Sequence, residues 1–425
     1  MTSRSDLSPD QRSVYESMLD WLKTPASRLL TVGGYAGVGK STLLSLFASE
    51  MDDLKVAYIC FTGRASSVLD RKLNAAGVGT TNRSQTDDDR KLDGDFGHLF
   101  YSPMDDEANR PFCGTIHRLL YRPFIDSETE ELLGWEKREE LDRDYDLIVI
   151  DEASMVSSQI VADILQHGVR ILAVGDHGQL PPVMGEGTLM AKPHLRLEKI
   201  HRQAEGSPII QLSRILREEG RLARELADGT QLRFGSTKDI LHPSLATMLT
   251  QNKLDAAVLC WRNATRIHVN RTVRGHLGYA GKPPQTGEPL IALKNYPPIY
   301  NGMRGLLTEE TTTSDEWWRL RAKIEFPDEG IPEEEHEICR DQFHRARPFD
   351  SVDDLKAAGM RAFAMSHAGR LFDFGYAMTV HKSQGSQFKH AVVMVDWKQN
   401  YENENTRRLA YTSITRASSK LTVLT

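Results

Sequence analysis

The feature that most constrains the fold is a glycine-rich segment between an apolar run and a helical pattern. Residues 28–42 read RLLTVGGYAGVGKST and contain the spacing Gly34-x-x-x-x-Gly39-Lys40-Ser41. Glycines let backbone N–H groups surround a phosphate at a helix N-terminus, where the helix dipole also favours negative charge. In this strand–loop–helix context the segment predicts a nucleotide-binding α/β domain rather than a glycine-rich turn that happens to end in Lys-Ser.

The same segment predicts the nucleotide contacts. Lys40 is expected to reach the β- and γ-phosphates, and the Ser41 hydroxyl is expected to hold Mg²⁺. The residues expected to bind the nucleotide share the loop and the first helical turn: Gly34, Ala36, Gly37, Val38, Gly39, Lys40, Ser41 and Thr42.

Two further apolar runs end in polar residues that complete such a site. LIVIDE at 147–152 places Asp151 to hold the Mg²⁺ shell and Glu152 to polarise the attacking water. ILAVGDHGQLPPV at 171–183 places Gln179 as a sensor of the γ-phosphate. An acid before Ala-Ser-Met would also suit the start of a helix, but beside the phosphate loop the nucleotide interpretation is favoured. The sequence therefore predicts a protein that binds or hydrolyses ATP or GTP.

Length and composition set the limits. With 425 residues the chain suggests two to four domains. No apolar run is long enough to span a membrane, and no secretory signal is visible at Met1–Asp6, so a cytoplasmic location is expected. The four cysteines are scattered singly, which fits a reducing compartment. A net charge of −6 argues against indiscriminate coating of nucleic acid, although not against a local basic channel.

Eight segments, in this order along the chain, resemble superfamily 1 DNA helicases of the RecD-like and Dda-like branch of superfamily 1B, many of which are phage-encoded. They read GYAGVGKST, CFTGRASSVL, GTIHRLL, VIDEASMV, GDHGQLPPV, LEKIHRQ, TVHKSQGSQF and YTSITRA. The resemblance implies an α/β fold with two RecA-like P-loop NTPase motor domains. It also implies that ATP and Mg²⁺ bind in the cleft between those domains.

The resemblance assigns further nucleotide contacts. Arg202 and Arg416 would approach the γ-phosphate and neutralise developing charge. Gly385 would line the nucleotide site from the second motor domain. Gln11 matches the glutamine that reads adenine in the family, although Ser8 and Gln11 also have the spacing of a helix capping box.

The resemblance also assigns contacts to DNA, from loops on the edge of both domains opposite the nucleotide. Hydroxyls and lysine suit phosphate contacts, which position a strand without reading its sequence. Each of these residues taken alone would more often be a helix cap or a surface residue. The predicted DNA contacts are Thr62, Arg64, Thr115, His117, Pro182, Thr379, His381 and Lys382. The chain departs from the resemblance at Gln387, where relatives often carry Glu.

Two insertions are expected in the motor domains. A β-hairpin pin at 120–138 would split the duplex, with Trp135 either stacking on the junction base pair or anchoring the hairpin. Clustered prolines and alternating patterns predict an SH3-like β-barrel. The stretch 207–250 reads as helical. The predicted divisions are motor domain 1 at 1–205 (with an acidic insertion at 77–112), motor domain 2 at 206–281 and 366–425, and the barrel at 282–365.

The function that follows from the resemblance is ATP-dependent translocation along single-stranded DNA, 5′-to-3′, with unwinding of forked duplex DNA. The implied setting is DNA replication, repair or recombination, in the host cytoplasm if the protein is phage-encoded. The protein would act as a monomer, with replication or recombination proteins as possible partners. Three alternatives stay open: a DNA-stimulated ATPase or translocase without unwinding, an RNA helicase, and a small-molecule kinase.

Overall fold

The computed structural model describes most of the chain in two units. It leaves out residues 1–2, 25–26, 52, 81–109, 126–131, 142, 182–188, 200–205, 297–298 and 363–364, and the side chains of 122–125 and 132–135. Unit 1 comprises Met1–Ile125 and Leu132–Ile210, and unit 2 comprises Asp126–Glu131 and Gln211–Thr425. Most of the predicted acidic insertion at 77–112 thus lies outside the described residues. Within the described parts, no helix combines the length and apolar character needed to cross a membrane.

Unit 1 alternates strands and helices. Its strands in chain order are β1 (Leu29–Gly34), β2 (Val56–Cys60), β3 (Phe112–Thr115), β4 (Tyr121–Ile125), β5 (Leu132–Lys137), β6 (Leu147–Asp151), β7 (Arg170–Gly175) and β8 (Leu195–Leu197). Its helices are α1 (Pro9–Lys23), α2 (Lys40–Ser49), α3 (Gly63–Ala75), α4 (Ile116–Leu120) and α5 (Ser158–Gln166). Helix α6 (Pro208–Glu219) begins in unit 1 and ends in unit 2.

Six described strands of unit 1 form one parallel sheet in the order β3-β2-β6-β7-β1-β8. The strands are continuous apolar runs because helices cover both faces of such a sheet. Alternate residues therefore enter different cores. Val149 packs with Phe47 and Leu69 on one face, whereas Ile148 and Ile150 pack on the other. The sheet places every strand's carboxyl end at one edge.

A separate antiparallel pair, β4 with β5, joins Tyr121 to Lys137 and Pro123 to Trp135 in register. Its base is fixed to α5, because the Tyr121 hydroxyl and the Lys137 ammonium both donate to the Asp163 carboxylate at 2.8 Å. The chain thus forms two strands where a hairpin was predicted.

Unit 2 contains a parallel sheet and an inserted antiparallel sheet. Its strands are β9 (Leu232–Gly235), β10 (Ala256–Cys260), β11 (Pro289–Ala292), β12 (Arg304–Leu307), β13 (Thr312–Thr313), β14 (Arg319–Phe326), β15 (Ile331–Cys339), β16 (Phe372–Phe374), β17 (Ala377–Thr379), β18 (Phe388–Met394) and β19 (Ala417–Leu424). Its remaining helices are α7 (Pro243–Asn252), α8 (Asn263–His276), α9 (Val352–Ala357) and α10 (Glu404–Ile414).

The described parallel sheet of unit 2 runs β17-β10-β18-β19-β9. Strand β9 interrupts the stretch 207–250, so the prediction that this stretch is helical is wrong for Leu232–Gly235. The reason is tertiary. These four residues hydrogen-bond to Leu421–Leu424 of β19, and such a distant partner leaves no local periodicity.

The inserted sheet runs β13-β14-β12-β11-β16, with β15 paired to β14. It curls back on itself, because Cys339 N–H donates to the Arg370 carbonyl at 2.9 Å and Arg370 N–H donates to the Glu337 carbonyl at 2.8 Å. Strand β16 pairs with β11 and supplies one side of this sheet. The inserted sheet therefore extends past residue 365, where the sequence predicted its end.

A buried ion pair joins α8 to the inserted sheet. Arg274 Nε donates to Glu288 Oε1 at 2.8 Å, and both side chains are almost fully buried. The Tyr376 hydroxyl and the Gln285 N–H also donate to the Glu288 carboxylate, and the Arg274 guanidinium lies 4.0 Å from the ring centre of Phe374 in β16. The carboxylate thus holds three groups that come from separate parts of unit 2.

We expect Glu288→Ala to destabilise the protein by about 3–5 kcal/mol, because it leaves the Arg274 charge buried without its partner. The measurement is the urea midpoint followed by circular dichroism. The matched control is Asp255→Ala, which removes the exposed ion pair with Lys389. That variant should change the midpoint little, since water screens an exposed pair. Equal effects of the two variants would contradict the expectation.

Candidate nucleotide and nucleic-acid sites

The phosphate loop joins the carboxyl end of β1 to the start of α2. Gly37 and Gly39 both have φ of 83°, a left-handed conformation that favours glycine. A Cβ added at Gly34 would lie 2.7 Å from the Val38 side chain, so this position also requires glycine. The glycines therefore allow the loop to turn directly into the N-terminus of a ten-residue helix.

Lys40 lies within this loop and faces a buried acid. Its ammonium donates to the carbonyls of Gly34 at 2.7 Å and Tyr35 at 2.9 Å, and it lies 4.0 Å from Asp176 Oδ2. Asp176 directly follows β7 and is fully buried. Its carboxylate accepts hydrogen bonds from Gly178 N–H at 2.9 Å and from Gln179 Nε2 at 3.2 Å.

The structure therefore brings the predicted residues Lys40 and Gln179 together through Asp176, which the sequence analysis did not single out. The available signal was its position, directly after a buried strand. Gln179 is itself buried, and its Oε1 accepts no hydrogen bond from the described residues. A buried amide oxygen of this kind is an available acceptor for a water or ligand hydroxyl.

The loop after β7 also contacts the phosphate loop through aromatic rings. The His177 ring centre lies 4.0 Å from that of Tyr35, with the planes inclined by 47°. This ring contact joins the conformation of the phosphate loop to that of the segment that carries Asp176 and Gln179.

The two predicted magnesium ligands provide hard oxygen donors. Asp151 ends β6, and its Oδ1 accepts a hydrogen bond from Glu152 N–H at 2.9 Å. Ser41 Oγ accepts a hydrogen bond from Lys72 Nζ of α3 at 2.9 Å. Lys72 was not predicted as a site residue, and no local pattern connects it with the phosphate loop. A hydroxyl and a carboxylate fit Mg²⁺, which prefers oxygen ligands and is often shared with nucleotide phosphates.

Glu152 adopts a left-handed conformation with φ 52° and ψ 40°. For a residue with a side chain this costs on the order of 1–3 kcal/mol, and such residues concentrate at functional sites. The strain falls on the residue predicted to polarise the attacking water.

Gln11 contacts both the N-cap of its own helix and the phosphate loop. It forms a capping box with Ser8, accepting from Ser8 N–H at 3.0 Å and donating its own N–H to Ser8 Oγ at 3.3 Å. Its Nε2 also donates to the Val38 carbonyl of the phosphate loop at 3.1 Å. The capping box is thus present, and the buried amide of Gln11 lies against the phosphate loop; the adenine contact stays a prediction.

Arg416 is buried inside unit 2. Its guanidinium donates to the Thr412 carbonyl at 3.1 Å, the Ser386 carbonyl at 3.2 Å and the Thr415 hydroxyl at 3.4 Å. These contacts connect the end of α10 to the TVHKSQGSQF segment next to Gly385, which has φ of 75°. Arg416, which is predicted to approach the γ-phosphate, is thus hydrogen-bonded to the TVHKSQGSQF segment, which is predicted to bind DNA.

The predicted DNA contacts of unit 1 follow β2 and β3. Thr62 and Thr115 are the N-caps of α3 and α4, accepting from Ala65 N–H and Arg118 N–H at 3.2 Å. Arg64 is buried, and burial lowers the pKa of His117. The capping role is therefore present at both threonines.

These residues lie on the same edge of the sheet as the phosphate loop, so the predicted location on the opposite edge is wrong for unit 1. Cys60, before Thr62, pairs in register with both Thr115 and Asp151. Because the strands are parallel, all their carboxyl ends share one edge. The two sets are instead separated along that edge, since β6 and β7 lie between β2 and β1.

The predicted DNA contacts of unit 2 follow β17. Thr379 ends that strand, and His381 and Lys382 form a short turn after it. Lys382 Nζ donates to Asn301 Oδ1 of the inserted sheet's turn at 3.3 Å. Burial, together with the charge of Arg266 and against that of Asp373, lowers the pKa of Lys382 to about 8. Pro182, Arg202 and the side chain of Trp135 lie outside the described residues.

Comparisons with known proteins agree with this arrangement. A family model described as an AAA domain matches residues 6–237, and one described as a UvrD-like helicase C-terminal domain matches residues 374–424. The chain is 28% identical over 219 residues to the ATP-dependent RecD2 DNA helicase of Deinococcus radiodurans, a match that covers 49% of this chain and 24% of that protein. It is 24% identical over 363 residues to the RecBCD enzyme subunit RecD of Mycobacterium tuberculosis, covering 75% and 56%.

Solved Pif1 helicase structures share the fold. One, described as showing DNA unwinding at forked double-stranded DNA by two coordinating Pif1 helicases, has a TM-score of 0.51 at 17% identity and covers 98% of this chain and 92% of that chain. The Bacteroides Pif1 helicase with ADP-AlF3 and single-stranded DNA has a TM-score of 0.50 at 16% identity, covering 96% and 91%.

The chain belongs to the AAA domain family. The match to a UvrD-like helicase C-terminal domain and the RecD relatives confirm the predicted resemblance to superfamily 1B helicases of the RecD-like branch. The chain spans only 24% of the RecD2 helicase and 56% of the RecD subunit. The two parallel α/β sheets have the architecture expected of a RecA-like helicase core.

We expect Lys72→Met to lower the Mg²⁺ concentration needed for half-maximal ATP binding by several-fold. The substitution frees the Ser41 hydroxyl and removes a positive charge beside the expected metal position. The measurement is a Mg²⁺ titration of fluorescent ATP-analogue binding. Lys23→Met, which removes an exposed lysine of α1, is the control. If the wild type, Lys72→Met and Lys23→Met all need the same Mg²⁺ concentration, the assignment of Ser41 as a Mg²⁺ ligand is contradicted.

Proposed function

We propose that this protein is an ATP-dependent DNA helicase that moves along single-stranded DNA and unwinds duplex DNA. The observation that carries the proposal is the cluster of Lys40, Asp176 and Gln179 beside the phosphate loop. It supplies a cation for the phosphates and an amide that can report on the reacting water. RecD2, a relative, is described as an ATP-dependent DNA helicase, which supports ATP as the nucleotide and DNA as the track.

In this proposal Lys40 leaves the Gly34 and Tyr35 carbonyls to hold the β- and γ-phosphates. Mg²⁺ held by Ser41 and Asp151 would supply neutralisation of phosphate charge. Glu152 accepts a proton from the attacking water, and the Gln179 amide oxygen orients that water. Departure of Lys40 also takes its charge away from Asp176, so phosphate binding changes the electrostatics of the buried acid and of its partner Gln179.

We assign the remaining nucleotide contacts from the motifs. Gln11 reads adenine, Gly385 allows close approach of the backbone, and Arg202 and Arg416 stabilise charge on the γ-phosphate. For Arg416 to do so, its guanidinium must leave the carbonyls of Thr412 and Ser386. Nucleotide binding would thereby loosen a contact of the TVHKSQGSQF segment, which gives a physical route from ATP to the DNA-binding loop.

We assign the DNA track to the loops after β2, β3 and β17. The hydroxyls of Thr62, Thr115 and Thr379 and the ammonium of Lys382 contact phosphates. The pair β4–β5 acts as the pin, with Trp135 at the junction, and the inserted sheet of unit 2 acts as an SH3-like barrel that helps to hold the strand. Forked duplex DNA is the substrate, the direction is 5′-to-3′ from the family resemblance, and the working form is a monomer.

The proposal predicts DNA-dependent ATP hydrolysis. Single-stranded DNA should raise the steady-state rate several-fold, and Lys40→Ala should lower it by about a hundredfold or more, since a group that stabilises transition-state charge is lost. The measurement is phosphate release with and without a single-stranded oligonucleotide. Lys23→Met serves as the lysine control.

The same preparations then distinguish the alternatives. Unwinding of a partial duplex with a single-stranded 5′ tail, but not of one with a 3′ tail, supports the helicase and its direction. Stimulation by DNA without unwinding identifies a translocase, and stronger stimulation by RNA identifies an RNA helicase. A rate indifferent to either polymer would overturn the proposal.

Lys382 should make DNA affinity depend on pH. Its ammonium is charged below a pKa of about 8, so affinity for single-stranded DNA should fall as pH rises through 8 and be retained below it. Lys382→Arg keeps its charge throughout this range and should flatten the profile. Fluorescence anisotropy of a labelled oligonucleotide between about pH 6.5 and pH 9.5 measures both. Superimposable profiles would rule out the contact.

A further inference from the structure

Trp261 is an exposed tryptophan at the carboxyl edge of the parallel sheet of unit 2. It directly follows β10 and is 40% exposed. Among the described residues, the exposed large apolar side chains are Leu241, Trp261 and Trp317. A tryptophan that serves only packing is buried, as Trp318 is, with its indole N–H donating to the His367 carbonyl at 2.9 Å. The exposure of Trp261 therefore calls for another explanation.

The backbone of Trp261 is fixed although its side chain is exposed. Its N–H donates to Asp396 Oδ1 at 2.7 Å, and the next N–H, of Arg262, donates to Asp396 Oδ2 at 2.9 Å. Asp396 lies two residues after β18, the strand beside β10. One carboxylate thus holds two consecutive amides, so the indole is presented from a rigid strand end and not from a loose loop.

The indole lies beside His381 of the TVHKSQGSQF segment. The two ring centres are 4.9 Å apart with planes inclined by 41°. The contact follows from the sheet, because Cys260 and Thr379 pair in register at the ends of β10 and β17. Burial lowers the pKa of His381, so the imidazole is neutral at pH 7 and extends the aromatic surface without adding charge.

The charges around this pair favour a nucleic acid or nucleotide. Arg262 is exposed next to Trp261, and Lys382 follows His381. Trp317, the other exposed tryptophan among the described side chains, has the acids Asp315 and Glu316 beside it and packs edge-on against Trp318 at 5.6 Å. Two cations thus lie beside the aromatic pair and can attract phosphates, while the nearest acid, Asp396, accepts hydrogen bonds from the backbone N–H groups of Trp261 and Arg262.

We propose that Trp261 and His381 form a stacking site for a nucleobase. The ligand is a base of the bound single strand or the purine ring of ATP, which share one stacking chemistry. Base–aromatic stacking is strong and tolerant of sequence, which suits a protein that must grip every base in turn. The inference rests on the proposed function and adds Trp261, which lies outside the helicase motifs discussed above, to the predicted DNA contact His381.

The test measures two affinities for each of four proteins: wild type, Trp261→Ala, Trp261→Phe and Leu241→Ala, which removes another exposed apolar side chain of unit 2. The first affinity is for a labelled oligothymidine without nucleotide, and the second is for a fluorescent ATP analogue without DNA. We expect Trp261→Ala to weaken one of them about tenfold. Trp261→Phe, which keeps an aromatic face, should restore most of the loss, and Leu241→Ala should match the wild type.

Each outcome decides between the sources or overturns the site. Loss confined to the oligonucleotide assigns the site to the DNA strand, and loss confined to the analogue assigns it to ATP. If Trp261→Ala binds both as tightly as the wild type, or if Leu241→Ala is equally weakened, the stacking site is wrong while the helicase proposal stands. If the wild type binds neither ligand, the proposed function itself fails.

Discussion

Parallel hydrogen bonding between strands is the constraint on which both units depend. In each parallel sheet all strands point the same way, so their carboxyl ends, and the loops that follow them, collect at one edge. In unit 1 this edge carries the phosphate loop, Asp151 and the segment after β7. In unit 2 it carries Trp261, Thr379 and Asp396. Residues of the candidate sites that are far apart in sequence thus become neighbours because the strands that they follow lie in one sheet.

Asp176 gives the unit 1 edge its electrostatic character. A carboxylate removed from water is stable only when it is hydrogen-bonded or faces a positive charge. Asp176 has Gly178 N–H, the Gln179 amide and the nearby ammonium of Lys40. The acid therefore does in this structure what phosphate is proposed to do when nucleotide is bound: it provides a negative partner for Lys40. In the proposed function, nucleotide phosphate and Asp176 would compete for Lys40, which would make the segment after β7 sensitive to the nucleotide.

The sequence predicted those elements whose signals are local. The phosphate loop, the strand at 147–151 and the paired strands near 121–137 were visible because periodicity, glycine spacing and turn composition act over a few residues. Interactions between distant segments were not visible. Strand β9 is specified by β19, Lys72 reaches Ser41 from another helix, and His381 meets Trp261 through the register of β10 and β17. The edge that carries Thr62 was misjudged because strand direction, not motif order, determines it.

The strand order of unit 2 has a consequence for how the chain is made. Among the described strands of this sheet, β9 comes first and bonds only to β19, which comes last, while β19 also bonds to β18. During synthesis on the ribosome, β9 therefore cannot pair with β19 until nearly the whole unit has been made. Among the described strands, the sheet of unit 1 contains none from beyond residue 210. Unit 1, which carries the phosphate loop, can therefore complete its sheet early in synthesis. Unit 2, which carries Arg416, completes its parallel sheet only after β19 has been synthesised.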